Sequence, residues 1–173
     1  LTCTREDCFH SAAFYGKVAA LKRLVQTGCD VNQTVEDGLT PAHIAAQEGQ
    51  TAALEVLVKA GCDVNQAAKN GETPAHIAVW EGHTAALEVL VTAGCDVNQA
   101  ADSGETPAYI AAARGQTAAI ELLVKAGCDV NQTDKNGATP AHIAACLGRL
   151  AALELLVKAG CDVNQTTKNG MTP

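Results

Sequence analysis

Four histidines, His10, His43, His76 and His142, recur at multiples of 33 residues, and five cysteines, Cys29, Cys62, Cys95, Cys128 and Cys161, keep the same interval. Both residue types ligate zinc, and a Cys beside a His can act as an activated nucleophile. The two types meet locally at His142 and Cys146, four residues apart and so on one face of a helix. Two ligands fall short of the four that a structural zinc needs. No third group that would orient a nucleophile or hold an oxyanion is readable beside them. No metal, cofactor or catalytic residue is therefore assigned; a site at His142 and Cys146 is the weakest of three readings.

The period that carries these residues also carries a phrase. Thr40-Pro41-Ala42-His43 returns as Thr73-Pro74-Ala75-His76, Thr106-Pro107-Ala108-Tyr109 and Thr139-Pro140-Ala141-His142, and Thr172-Pro173 opens one more. Residues 1–173 thus read as a single array: a divergent first unit at 1–36, full units at 37–69, 70–102, 103–135 and 136–168, and the start of a truncated unit at 169–173. The second and third units differ at seven of 33 positions, which leaves no room for a linker. In the first unit, Asp7-Cys8-Phe9-His10 stands where the others have Thr-Pro-Ala-His or Thr-Pro-Ala-Tyr, and Lys17, Lys22 and Arg23 place basic charge that the internal units lack at those positions. A terminal unit must tolerate water on one face. The chain opens without Met and closes inside a unit, which reads as an excised or engineered segment.

Local signals place two helices in each unit. Thr40 is an expected N-cap, and Pro41 loses nothing at the first helical position, where its missing donor would be unpaired. Gly49 supplies a left-handed stop after about two turns. Thr51 is the expected cap of a second helix, with a wide apolar face at Leu54, Val56, Leu57 and Val58. Gly61 ends it. Asp63-Val64-Asn65 and then Asn70-Gly71 predict an extended turn into the next unit, because Asn-Gly accepts positive φ at low cost. Helices this short are marginal alone and must stack.

Composition agrees. Only 3% of residues are aromatic and much of the apolar total is Ala, which suits thin stacked layers better than one large core. A net charge of −7 argues against a nucleic-acid surface, which needs clustered Lys and Arg. No apolar run approaches the ~20 residues that span a bilayer, and no secretory signal opens the chain, so no membrane partner is expected. Stacked layers lie about 8–10 Å apart, beyond disulfide reach of about 7 Å, so the cysteine column should stay reduced. Each Cys is expected to be a small buried apolar residue. Cys3 and Cys8 are close enough to bridge locally. So many free thiols suit the cytoplasm or another reducing compartment.

The 33-residue unit of turn, Thr-Pro-x-His helix, Gly, second helix and Gly-x-Asp-Val-Asn resembles the ankyrin repeat, from about residue 4 to the end. The resemblance implies an all-α solenoid of stacked helix-turn-helix units with β-hairpin-like fingers, binding a protein or peptide on its concave side. It implies that the His ties the finger to its helix, a structural use that Tyr109 suits better than it suits zinc. Two departures stand out: Ala42, Ala75, Ala108 and Ala141 stand where the family usually has Leu, and Cys where it usually has Ala. Small packing defects or closer helices are expected. Asn32, Asn65, Asn98, Asn131 and Asn164 hold the position that some members have hydroxylated, and Asn32, Asn131 and Asn164 also stand in Asn-Gln-Thr acceptors for glycosylation.

A scaffold carries its specificity where its units differ. Two columns at the end of the first helix vary freely: Phe14, Gln47, Trp80, Ala113, Cys146, and Tyr15, Glu48, Glu81, Arg114, Leu147. By resemblance these face the concave groove, together with the finger positions Val35, Leu39, Lys69, Glu72, Asp102, Glu105, Lys135 and Ala138. Trp80, with Tyr109 and Arg114, is the expected anchor, since interface hot spots favour Trp, Tyr and Arg. The leading reading is a non-enzymatic protein-binding module. The alternative is a consensus-like array with no selected partner. A monomer is expected, with fraying or end-to-end association at the truncated C-terminus, where Leu153, Leu156 and Val157 lack cover.

Overall fold

The computed structural model describes residues 5–173, with side chains from residue 8 onward; Cys3 lies outside the described residues. Ten α-helices and no strand occur among them. The chain divides into two compact units, residues 1–95 and 96–173.

The first unit holds three helix pairs: α1 (Arg5–Phe14) with α2 (Val18–Gln26), α3 (Pro41–Gln47) with α4 (Thr51–Lys59), and α5 (Pro74–Glu81) with α6 (Thr84–Thr92). Each pair is a helical hairpin closed by a glycine turn. First helices stack in the order α1, α3, α5 and second helices in the order α2, α4, α6, so two helical layers share one core. The second unit repeats the plan with α7 (Pro107–Arg114), α8 (Thr117–Lys125), α9 (Pro140–Cys146) and α10 (Leu150–Lys158). No helix among the described residues is long and apolar enough to cross a membrane.

The first helix of each full repeat begins as its residues dictate. Thr40, Thr73, Thr106 and Thr139 are extended N-caps, buried, with Pro at the first helical position. The second helix starts differently from expectation: Gln50, not Thr51, is the N-cap of α4 and makes no side-chain cap bond. Gly49, at φ 62°, turns the chain so sharply that Gln50 N already donates back to Ala45 O at 2.8 Å. Thr51 is therefore inside the helix, its hydroxyl 3.4 Å from Gly49 O.

The apolar seam of α4 is also narrower than its composition suggests. Ala53, Leu54 and Leu57 are buried, while Val56 and Val58 are half-buried. Leu87 and Leu90 of α6 repeat the pattern, as do Ile120 and Leu123 of α8. Each fully buried Leu or Ile contributes about 1.5–3 kcal/mol, so the second-helix layer supplies most of the large apolar core. The first-helix layer is filled by Ala42, Ala45 and Ala46 and their equivalents. In α1 the buried Phe9 takes the place that Ala42 holds in α3.

The fingers are hairpin-like turns without regular ladders. Each is closed by two main-chain bonds, as from Val35 N to Leu39 O and Gly38 N to Val35 O, Ala68 N to Glu72 O and Gly71 N to Ala68 O, and Asp134 N to Ala138 O and Gly137 N to Asp134 O. Neighbouring fingers are laced by single bonds, Lys69 N to Asp37 O and Lys135 N to Ser103 O. Positive φ at the tips falls on glycine, except that Asp37 adopts φ 70° beside Gly38. Gly104 cannot carry a side chain: a Cβ there would lie 2.6 Å from Lys135 N.

Candidate functional site

The histidine column is structural, and it works between repeats. Thr40 N–H donates to His43 Nδ1 at 3.1 Å, while His43 N–H points to Thr40 Oγ1 at 3.4 Å, a reciprocal capping box. Because Nδ1 receives that main-chain proton, the ring carries its own on Nε2, which donates to Glu72 O at 3.1 Å in the next finger. His10 reaches Leu39 O and His142 reaches Met171 O in the same way, each at 3.0 Å. Both nitrogens of His142 are thus engaged, through Thr139 and Met171, and Cys146 is left as an exposed thiol. Among the described residues no three His, Cys, Asp or Glu side chains gather as a metal site.

Burial holds His43 neutral, lowering its pKa from 6.5 to about 4 against the opposing pull of the Glu72 carbonyl. Tyr109 does not reproduce this arrangement. Its main-chain N–H reaches Thr106 Oγ1 at 3.2 Å, yet α7 has no reciprocal capping bond, since a phenol hangs its oxygen too far from the cap. Tyr109 is also buried, at 8% exposure, so it offers no surface to a partner and drops out of the expected anchor. Burial, then Asp134 and Glu105, push its hydroxyl up to about 12.

The cysteine column is half-buried rather than buried. Burial, reinforced by Asp63, raises the Cys62 thiol to about 11, and burial with Asp129 does the same to Cys128. Such thiols stay protonated at neutral pH and are poor nucleophiles. The asparagine column is held by geometry. Asn32, Asn98 and Asn131 each accept the main-chain N–H of Asp63, Asp129 and Asp162 on Oδ1 at 2.7 Å, stapling one repeat to the next. Asn65 is half-buried in the same column, and Asn164 is exposed.

In the first unit the fingers and first helices enclose a groove of about 430 Å³. It gathers Leu39, Gln47, Lys69, Glu72, Trp80 and Glu81, six of the residues expected to face a groove. Trp80 is 52% exposed. Glu48 sits beside the groove, its Oε1 3.2 Å from Gln47 Nε2. Phe14 and Tyr15 form an exposed edge-to-face pair at the end of α1, ring centroids 5.0 Å apart. In the second unit Arg114 and Leu147 are exposed at helix ends, Asp102 and Lys135 are exposed on fingers, and Glu105 is half-buried.

Sequence reasoning missed Asp37, Asn70 and Ile77 in the groove lining. Ile77 stands three residues before Trp80 on the same helix face, which was a usable signal. It also missed a latch between repeats: Gln50 Nε2 donates to Phe14 O at 3.1 Å and Arg149 Nε to Ala113 O at 3.0 Å. That column holds Lys17, Gln50, His83, Gln116 and Arg149, all able to donate across such a gap.

Comparison with known families places the repeat. A family profile described as ankyrin repeats, three copies, matches residues 9–101 and again 94–167. No curated protein matches the chain.

Proposed function

The chain belongs to the ankyrin-repeat family, and on that premise we propose that it is a non-enzymatic interaction module that binds a protein or peptide along its helix ends and fingers. Repeats of this family are generally protein-protein interaction modules. The observation that carries the reading is the groove of the first unit, where a half-exposed Trp80 stands among residues that vary between otherwise near-identical repeats. Phe14, Tyr15, Gln47, Glu48 and Lys69 extend that surface, and in the second unit, taken by itself, Asp102, Glu105, Arg114, Lys135 and Leu147 are candidate contacts. Large aromatics at the centre of a patch dominate binding energies. Free thiols at Cys29, Cys62, Cys128, Cys146 and Cys161 support a reducing compartment such as the cytoplasm.

The test is selection of binders from a random displayed peptide library, followed by their affinity for Trp80→Ala. The expected result is a loss of at least about tenfold, in line with an interface hot spot, at an unchanged melting temperature. Binders that ignore the substitution would remove Trp80 from the site.

A second reading concerns assembly. Leu150 is 71% and Val157 49% exposed on α10, with Leu153 half-buried between them, whereas Leu156, expected to lack cover, points into the core and is fully buried. An apolar face of this kind supports concentration-dependent end-to-end association of a chain that is monomeric when dilute.

A further inference from the structure

The groove is chemically one-sided. Asp37, Glu72 and Glu81 bring three carboxylates to it against the single ammonium of Lys69. Asp37 and Glu81 are exposed, and neither they nor Glu72 forms a salt bridge among the described residues, where the ion pair Lys59–Glu55 lies on the separate helix α4. The Glu72 carboxylate accepts one neutral hydrogen bond, from Asn70 Nδ2 at 2.8 Å. Leu39 and Ile77 form apolar walls. A concave surface with apolar walls and one sign of charge concentrates its field.

The same features rank the occupants. An acidic partner adds repulsion, and a neutral one removes water from the carboxylates without replacing it, at a cost. A cation relieves both penalties. Trp80 adds a second selection, because the face of an exposed indole attracts a cation. Arg meets both demands at once, since its planar guanidinium stacks on an aromatic ring while its fork pairs with a carboxylate. Resting on the groove reading above, we infer that the partner is a basic peptide segment that lays an Arg over Trp80 toward Glu81 and places an adjacent apolar side chain against Leu39 and Ile77.

Trp80 is the only tryptophan of the chain, so its emission reports occupancy directly. Three capped heptapeptides with the centres Leu-Arg-Leu-Arg, Leu-Gln-Leu-Gln and Leu-Glu-Leu-Glu are titrated into the intact chain at low and high salt. The Arg peptide is expected to bind about tenfold tighter than the Gln peptide and to weaken with salt, as unscreened charge pairs do. Glu81→Gln is expected to weaken the Arg peptide about threefold or more and not to weaken the Gln peptide. Glu55→Gln, away from the groove, is the control that leaves both unchanged.

An Arg peptide that binds no tighter than the other two overturns the inference. If the Gln or Glu peptide instead binds tighter and shifts Trp80 emission, the basic partner is wrong and the groove stands. If no peptide shifts the emission and selected binders ignore Trp80→Ala, both the partner and the groove are wrong.

Discussion

His43 Nε2 donates to Glu72 O at 3.1 Å, joining the start of one helix to a finger 29 residues farther along the chain. The same ring accepts the Thr40 N–H on its other nitrogen. One neutral imidazole therefore satisfies a buried cap donor and a half-buried inter-repeat carbonyl. His43→Ala should lower stability by about 2–4 kcal/mol, because it orphans the Thr40 N–H, strips Glu72 O of one of its two hydrogen bonds, the other coming from Ala68 N, and leaves a cavity. Urea unfolding measures this; a loss under about 1 kcal/mol would mean that water replaces the ring.

Acid should unfold the array earlier than carboxylate protonation alone would. The folded pKa of His43 is about 4 against 6.5 for the free side chain. The folded state thus binds fewer protons than the unfolded chain between those values. Stability is complete above about pH 6.5, falls as pH drops toward 4, and levels below that, with a total loss of roughly 3 kcal/mol. Denaturation midpoints across this window should show the slope, and His43→Ala should flatten it.

Tyr109 offers the reverse experiment. It occupies the histidine position without the reciprocal capping bond, so α7 is capped from one side only. Tyr109→His should complete the box and reach Ala138 O of the next finger, raising stability by about 1 kcal/mol. A drop in melting temperature would show that the buried phenol packs better than the imidazole bonds.

Thiol reactivity should sort by position. Cys146 is exposed, whereas Cys62 and Cys128 have thiols raised to about 11. At pH 8 only about one in a thousand of such thiols is ionised. Iodoacetamide followed by peptide mass mapping should label Cys146 first in the folded protein, with Cys62 and Cys128 accelerating only on unfolding. Equal labelling of all three in the folded state would contradict the burial of the column.

The end face of α10 can be probed without touching the fold, since Leu150 and Val157 are both largely exposed. Sedimentation velocity should show association rising with concentration, and the pair Leu150→Glu and Val157→Glu should abolish it at an unchanged melting temperature. A wild-type chain that stays monomeric at every concentration would sink the assembly reading.

How far the residues speak for themselves depends on distance along the chain. Thr-Pro at a helix start, Gly at its end and the 33-residue register are chemistry between near neighbours, and all were legible before any coordinates. The misplaced cap at Thr51 shows the limit: the hydroxyl was suitable, but the turn forced by Gly49 had already used the position. The candidate site was legible as a list, because Gln47, Trp80 and Glu81 break a repeating pattern. Leu39 and Glu72 joined it by resemblance alone, and the part of Asp37, Asn70 and Ile77 in the lining was not legible.

The residues alone dictate that this protein is a stack of ankyrin helix pairs and where the first helix of each full repeat begins. Tertiary structure decided which side chains are spent on holding the stack and which remain for a partner. The histidines and Asn32, Asn98 and Asn131 are spent because their acceptors and donors lie 29 to 31 residues away, across the repeat boundary. Tyr109 is lost to the interior, and Trp80 stays half outside, because burial is a property of the neighbours that stacking supplies and not of the residue alone.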